Sequence, residues 1–255
     1  MAKLGFNRLG SFGRHGNQMF QVASIYGIAK KTGHTAHANL NDSTLKNCFE
    51  MSGVVDEIIH PDGVYPENGF SFNEQTFTFP NDVSIDCMGY FQTEKYFKHC
   101  ENDIRTMFTF KEDIRHKAGD LLPEGVSVSL HIRKTDYTQL QEYHYNQTDE
   151  YYQEAFSKMC HYFGNAIIPV IFSDDVEWCK SNMKWLPENT VYMENDLNVD
   201  LCVMSWCNAH IIANSSFSWW GAYLGGGKTI APKNWFGPKG PQDWDDIYCD
   251  HWELL

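Results

Sequence analysis

The chain has 255 residues, of which 42% are hydrophobic and 15% aromatic, so it can form one large or two small domains with a full core. Its formal net charge of −13 at pH 7 argues against nucleic acid and acidic membrane surfaces as partners. The 8 cysteines include no Cys-x-x-Cys pair, which argues against a zinc site. Without an apolar signal region or transmembrane segment, we expect a reduced, cytoplasmic protein.

The first half of the chain predicts a few separated elements. They are a helix over 18–32 that stops at Gly33, a strand over 83–91, a helix that opens at 92–97 and a helix over 112–122. Residues 3–9, before a glycine-rich turn, form only a poor strand pattern. The segment 119–125, which contains Pro123, is the best junction, so the predicted domains are residues 1–122 and 123–255.

The second half alternates strands with helices. Strands are predicted at 126–132, 167–173, 210–214 and 228–231, with a weaker one at 190–193, and helices at 149–163, 175–183, 198–207 and 216–224. This alternation predicts an α/β fold with a parallel sheet and right-handed crossovers. Ligands of such sheets bind outside the carboxyl ends of the strands.

Polar residues follow the first strand of this half, where that rule expects a ligand. The sequence there reads His131, Ile132, Arg133, Lys134, Thr135, Asp136. Arg133 offers a forked, permanently charged donor that suits phosphate oxygens. Asp136 could orient that guanidinium or meet a substrate hydroxyl. The alternative for Arg133 is a salt bridge at a strand end.

Ser173, Asp174 and Asp175 follow the next strand and allow three interpretations. They suit a helix N-cap followed by acidic residues in the first turn, which we rank first. One aspartate could instead accept from the amino and imino edge of guanine. A divalent metal bound by the paired acids is the third alternative.

A third apolar run ends in Asn214, Ser215, Ser216, Phe217 and Ser218 before a predicted helix. The unpaired main-chain N–H groups of a helix start, with hydroxyl and amide side chains beside them, can hold a phosphate. The simpler interpretation is that Asn214 or Ser215 only caps the helix. In both cases we expect Trp219 and Trp220 to be core residues.

The glycine-rich turn near the amino terminus enters the first helix through Gly13, Gly16, Asn17 and Gln18. Glycines let the backbone approach a ligand closely, and the amides add short donors. Many turns share this pattern, so by itself it is weak.

Together these segments resemble the α-1,2-fucosyltransferase family, glycosyltransferase family 11. The segments that match, in the family's order, are Gly13–Gln21, Gly89–Phe97, His131–Tyr137, Phe172–Asp175, Ile211–Ala222 and Ala231–Phe236. The resemblance implies a short GT-B-type enzyme with two facing Rossmann-like domains, the N-terminal one on the acceptor side and the C-terminal one binding the donor. It implies GDP-β-L-fucose as donor, no required metal or other cofactor, and transfer with inversion to a glycan hydroxyl, the 2-hydroxyl of a galactose-type residue.

By the same resemblance, Arg133 and the run from Asn214 to Ser218 meet the donor diphosphate, and Asn17 faces the fucose. The predicted catalytic residues are Arg133, Asp136 and Asn17. The remaining predicted donor-binding residues are Gly16, Gln18, His131, Lys134, Ser173, Asp174, Asp175, Asn214, Ser215, Ser216, Phe217 and Ser218.

Two residues depart from the family pattern. Lys134 stands where a second arginine is usual, which keeps the charge but loses the fork, and Thr135 replaces a glycine. The alternatives are therefore another nucleotide-sugar donor, or a degenerate protein that binds carbohydrate or nucleotide without turnover. The sequence reveals neither the acceptor, nor the general base, nor the oligomeric state.

Overall fold

A computed structural model describes residues 1–135 and 140–255, apart from the side chain of Asp42. Within these residues the chain divides into two compact units. The first comprises Met1–Lys111 and Asp243–Cys249, and the second comprises Glu112–Gln242 and Asp250–Leu255. The division therefore falls after Lys111, whereas the sequence suggests a junction after residue 122.

The first unit contains a parallel sheet with the strand order β3-β2-β1-β5-β4. Its strands are β1 (Lys3–Phe6), β2 (Thr35–Ala38), β3 (Val55–Asp56), β4 (Gly63–Pro66) and β5 (Ile85–Met88). Its helices are α1 (His15–Thr32), α2 (Leu45–Cys48) and α3 (Glu101–Met107), with 3-10 turns at Leu40–Asp42, Glu74–Thr78, Glu94–Tyr96, Lys98–Cys100 and Asp245–Ile247.

The strand before the glycine-rich turn is well formed, contrary to the prediction. β1 pairs with β2 on one side and β5 on the other, and Leu4 and Phe6 are fully buried. Only four residues long, it lacks a clear alternating pattern, and pairing on both sides supplies its stability. The helix predicted to open at 92–97 is instead a pair of short 3-10 turns.

α1 confirms the predicted helix and its stop. It begins three residues earlier than predicted, at His15, and ends where Gly33 takes a φ of +77° and donates its N–H to Ala29 O. Because a glycine adopts this left-handed conformation without a side-chain clash, Gly33 is a favourable residue at that position.

The second unit contains a parallel sheet with the order β11-β10-β9-β6-β7-β8. Its strands are β6 (Ser127–Ile132), β7 (Ile168–Ser173), β8 (Val191–Met193), β9 (Ala209–Ile211), β10 (Lys228–Ala231) and β11 (Glu253–Leu254). Its helices are α4 (Glu112–Leu121), α5 (Asp149–Phe163), α6 (Val176–Asn182), α7 (Leu197–Trp206) and α8 (Ser216–Gly225). The predicted strands and helices of this half are all present.

The core of the second unit lies on β6, β7 and β9. Val128, Leu130 and Ile211 are fully buried, and Tyr152 and Met159 of α5 pack against them. Trp219 and Trp220 are fully buried as predicted, and Trp219 stacks on Tyr223 of its own helix with 5.0 Å between ring centroids. None of the helices in the described ranges is long and apolar enough to cross a bilayer.

Candidate active site

The sheet of the second unit brings the three predicted polar segments to one edge. β6 lies between β9 and β7, with Leu130 opposite Ile211 and Ile132 opposite Ser173. Since the three strands are parallel, the residues that follow each of them emerge side by side at the carboxyl edge.

Asp174 holds the loop after β6. Its carboxylate accepts hydrogen bonds from the main-chain N–H of Lys134 at 2.8 Å and of Thr135 at 3.2 Å, and from the Thr135 hydroxyl. Nη1 of Arg133 lies 3.3 Å from the same carboxylate, and both side chains are less than one-fifth exposed. The first role of Asp174 in this structure is thus to position Arg133 and its loop.

Asp175 caps α6, as the first-ranked interpretation predicts. Its carboxylate accepts the N–H of Trp178 at 2.9 Å, while the Ser173 hydroxyl accepts the N–H of Asp175 at 3.0 Å. The two aspartates therefore differ in function, because Asp175 stabilises the helix start and Asp174 stabilises a neighbouring loop.

The ammonium group of Lys134 lies over the indole ring of Trp178, 3.9 Å from its centroid. A cation held over an aromatic face is stabilised by the ring quadrupole. The departure from the usual arginine thus places a positive charge on α6 through an aromatic contact.

In the interior, His131 near the carboxyl end of β6 contacts Ser218 near the start of α8. His131 Nδ1 lies 2.9 Å from the Ser218 hydroxyl, and the two residues are 5% and 0% exposed. Burial, with a smaller contribution from the positive charge of Arg133, lowers the pKa of His131 to about 3, so its ring is neutral near pH 7. Both side chains therefore lie buried beneath the carboxyl edge of the sheet, and their contact with the donor stays a prediction.

Asn214 is an internal tie between loops. Its Nδ2 donates to Trp235 O at 2.6 Å and Tyr145 O at 2.9 Å, and its Oδ1 accepts from Gln147 Nε2 at 3.3 Å. Asn214 is 2% exposed, so its amide serves the fold. Ser215 stands at the N-cap position of α8, as one interpretation expects, but its side chain supplies no cap hydrogen bond.

The start of α8 is accessible along its first residues. Ser215, Ser216 and Phe217 are partly exposed, and the first helical N–H bond is from Trp219 to Ser215 O. A helix leaves the N–H groups of its first turn without intrahelical acceptors, and its dipole favours an anion there. The start of α8 therefore has the geometry of an anion site, and its Phe217 and Ser218 contact His131, two residues before Arg133.

In the first unit, the turn before α1 holds the other predicted residues. Asn17 is partly exposed and its Oδ1 accepts from Gln92 Nε2 at 2.6 Å. Gly16 is buried in the first turn of α1. Gln18 is 5% exposed and its Oε1 accepts from the Ser43 hydroxyl at 2.8 Å, so its amide ties α1 to the loop before α2.

Two predictions about the site have a different status. Asp136 lies outside the described residues. Over residues 1–135 and 140–255, no three His, Cys, Asp or Glu side chains group so that they could hold a metal ion. Metal independence itself stays a prediction.

The family model described as Glycosyl transferase family 11 matches residues 3–255. The chain belongs to glycosyl transferase family 11. The family 11 chain is 37% identical over 166 residues to an α-1,2-colitosyltransferase of Escherichia coli. The aligned region covers 60% of this chain and 57% of that relative. It is 25% identical over 256 residues to galactoside α-(1,2)-fucosyltransferase 2 of Oryctolagus cuniculus, and that aligned region covers 91% of this chain and 71% of the relative.

Solved structures confirm the fold class. The family 11 chain resembles the fucosyltransferase NodZ from Bradyrhizobium with a TM-score of 0.59 at 14% identity, covering 88% of this chain and 92% of that one. A further structure of NodZ, described as an α-1,6-fucosyltransferase soaked with GDP-fucose, has a TM-score of 0.56 at 12% identity and covers 88% of this chain and 92% of that one. With a parallel α/β sheet in each unit, the chain has the GT-B type of fold that was predicted.

Sequence reasoning missed three residues that organise the site of this family 11 chain. Gln92 orients the Asn17 amide, Gln147 orients Asn214, and Glu67 accepts the N–H groups of the turn that carries Gln92. Gln92 lies in the segment 89–97 that carries the family resemblance, so a signal existed for it. Glu67 and Gln147 lie in stretches without a readable pattern.

Proposed function

We propose that the protein is an inverting glycosyltransferase that moves L-fucose from GDP-β-L-fucose to a glycan hydroxyl, the 2-hydroxyl of a galactose-type residue. The observation that carries the proposal is the convergence of Arg133 and the start of α8 at one edge of the second sheet. Family membership supports it, and so do the names of the two relatives, both of which specify a 1,2 linkage. The chain spans 57% of the first of these relatives, so the activity rests on the experiment below.

In this proposal the second unit binds the donor and the first unit binds the acceptor. The reaction is a single displacement at the anomeric carbon of fucose, in which GDP departs and negative charge grows on its outer phosphate. The guanidinium of Arg133 and the main-chain N–H groups at the start of α8 stabilise that charge most strongly in the transition state. Asp174 prepares this arrangement by holding the loop that carries Arg133.

The remaining assignments have two sources. By the family resemblance Asn17 contacts the fucose. Asp136, three residues after Arg133 in the sequence, orients that guanidinium or meets a substrate hydroxyl, and the group that removes the acceptor proton is unassigned. No metal is required, since Arg133 and the helix start supply the positive charge. The cytoplasmic location expected from the sequence stays a prediction.

A second donor has one specific observation in its favour. The relative with 37% identity is named for colitose instead of fucose. A colitose donor that carries a nucleoside diphosphate would meet the same diphosphate cradle, formed by Arg133 and the start of α8. The sugar pocket would then decide between them.

The test is transfer by the purified protein from GDP-fucose and from GDP-colitose to an array of glycans. We expect a fucosylated product on acceptors that end in galactose, with the new linkage at the 2-hydroxyl by mass spectrometry and NMR. Calorimetry with GDP, UDP and ADP should show preferential binding of GDP. Binding of GDP without transfer or donor hydrolysis would contradict the enzymatic proposal. Preferential use of GDP-colitose would show that GDP-colitose, and not GDP-fucose, is the donor.

A further inference from the structure

The turn after β5 in the first unit adopts a conformation that needs external support. Phe91 has a φ of +52° and its side chain is fully buried. A left-handed conformation at a bulky residue is costly, so it persists only where surrounding contacts determine it. The turn therefore depends on particular contacts that stabilise this conformation of Phe91.

Glu67, directly after β4, supplies those contacts. Its Oε2 accepts the N–H of Tyr90 at 2.6 Å, and both of its carboxylate oxygens lie 2.9 Å from the N–H of Phe91. Its own N–H donates to Met88 O at 2.7 Å. Side chain and main chain of Glu67 thus fasten the same turn, and charge-assisted bonds of this kind are the stronger ones.

The same turn holds Asn17. The next residue, Gln92, donates its Nε2 to Asn17 Oδ1 at 2.6 Å, and Gln21 of α1 donates to Gly89 O at 3.1 Å. On its other side Asn17 meets Gly13, where a Cβ would lie 1.9 Å from Asn17 Nδ2. With its oxygen engaged by Gln92, the Asn17 amide has a defined orientation.

We propose that Glu67 is a positioning residue for sugar transfer, which sets the Asn17 amide through the Tyr90–Gln92 turn. This inference rests on the proposed function, in which Asn17 contacts the fucose. Glu67 acts on Asn17 indirectly, through the main chain of Tyr90 and Phe91 and the side chain of Gln92. In this role its carboxylate affects sugar transfer without binding a substrate.

The charge of Glu67 makes the link measurable. Burial raises the pKa of Glu67 to about 7, opposed by the N–H groups of Phe91 and Tyr90, and Asp243 raises it further. The titratable groups that face Glu67 are Asp243, Tyr65 of β4, Cys87 of β5 and Tyr96 of a 3-10 turn. Above pH 7 the carboxylate accepts both N–H groups; below it, the proton takes one acceptor position and loosens the turn.

The kinetic test compares wild type, Glu67→Gln and Glu74→Gln between pH 5.5 and 9. Glu74 is exposed at the start of a 3-10 turn and serves as the matched control. We expect Glu67→Gln to lower kcat at least tenfold at pH 8, to leave KM for GDP-fucose within twofold, and to remove a wild-type rise of kcat through pH 7. A wild-type kcat and pH profile in Glu67→Gln would overturn the inference.

A second measurement separates this inference from the proposed function. In the wild-type protein, the backbone N–H signals of Tyr90 and Phe91 and the side-chain amide signal of Asn17 should titrate together near pH 7 by NMR. If they do so in a protein that transfers no sugar, the coupling stands and the proposed function fails. If the Asn17 signal does not follow those of Tyr90 and Phe91, the inference is wrong whatever the activity, and this holds even if Glu67→Gln does not fold.

Discussion

The Asp174 carboxylate lies 3.3 Å from Nη1 of Arg133, although the two residues follow different strands of the second sheet. The same carboxylate accepts the main-chain N–H groups of Lys134 and Thr135, so it sets the guanidinium and its loop together. Partly buried charges that share several hydrogen bonds keep a more definite geometry than an exposed ion pair. Arg133 is therefore held in place before any ligand arrives.

Replacement of Arg133 should remove most of the transfer activity. We expect Arg133→Ala to lose about 2–4 kcal/mol of transition-state stabilisation, the scale for one preorganised donor, measured as a fall in kcat/KM. Arg105→Ala is the control, because Arg105 pairs with Glu101 on the surface of the first unit. Near-normal transfer by a folded Arg133→Ala protein would rule out this role.

Asp174 and Asp175 should respond differently to the same change. Asp174→Asn weakens charged hydrogen bonds of about 1.5–3 kcal/mol, so kcat/KM should fall about tenfold or more. Asp175→Asn alters only a helix cap, so we expect a stability loss of up to about 1 kcal/mol and kcat/KM within twofold of wild type. If Asp174→Asn instead abolishes the preference for GDP over ADP, Asp174 recognises guanine.

Transfer should continue in excess chelator. In the proposed function, Arg133 and the start of α8 provide the positive charge that a metal would supply, so initial rates with and without EDTA should agree. A complete loss of activity that Mn²⁺ or Mg²⁺ restores would make Asp174 and Asp175 metal ligands after all. A parallel assay of a known metal-dependent glycosyltransferase shows that the chelator is effective.

Acid should destabilise the second unit through two buried histidines. Burial lowers the pKa of His131 to about 3 and that of His210 to about 4. Both values lie below about 6.5, the ordinary value for histidine, so the unfolded chain binds protons that the folded chain excludes. The stabilisation from neutral histidines is present above pH 6.5 and declines as the pH falls towards 4 and 3, by at most about 1.4 kcal/mol per pH unit for each histidine.

Urea unfolding of the variants between pH 4.5 and 8 checks this prediction. His210→Asn should be less stable overall, yet lose less stability than wild type as the pH falls below 6.5. His116→Asn is the control, because His116 is 79% exposed.

Glu67 affects the pH dependence in the opposite direction. Because its pKa is raised, its contribution to the free energy of unfolding declines as the pH rises from about 4.5 to 7. The informative quantity is therefore the difference in unfolding free energy between wild type and variant at each pH. If the free energy of unfolding falls with pH equally in wild type and His210→Asn, His210 does not cause the loss of stability in acid.

Most of the second unit could be predicted because its strands are apolar runs that end in polar residues. β7, β10 and α5 lie within one residue of the predicted ranges. The first unit was harder. β1 has only four residues and derives its stability from both neighbours. β3 has only two residues, both exposed, and the sequence of β4, Gly-Val-Tyr-Pro, does not alternate apolar with polar residues.

The sequence by itself determined the class of the protein: an alternating α/β pattern, three polar segments at strand ends, and motifs that match one family. Only the tertiary structure decided what each polar side chain does. Ser218 pairs with His131, Asn214 with Gln147, and Asp174 with the loop of Arg133, while Glu67 supports the turn next to Asn17. The physical reason is that a buried polar group must find a hydrogen-bond partner, and these partners come from chain segments 23 to 87 residues away.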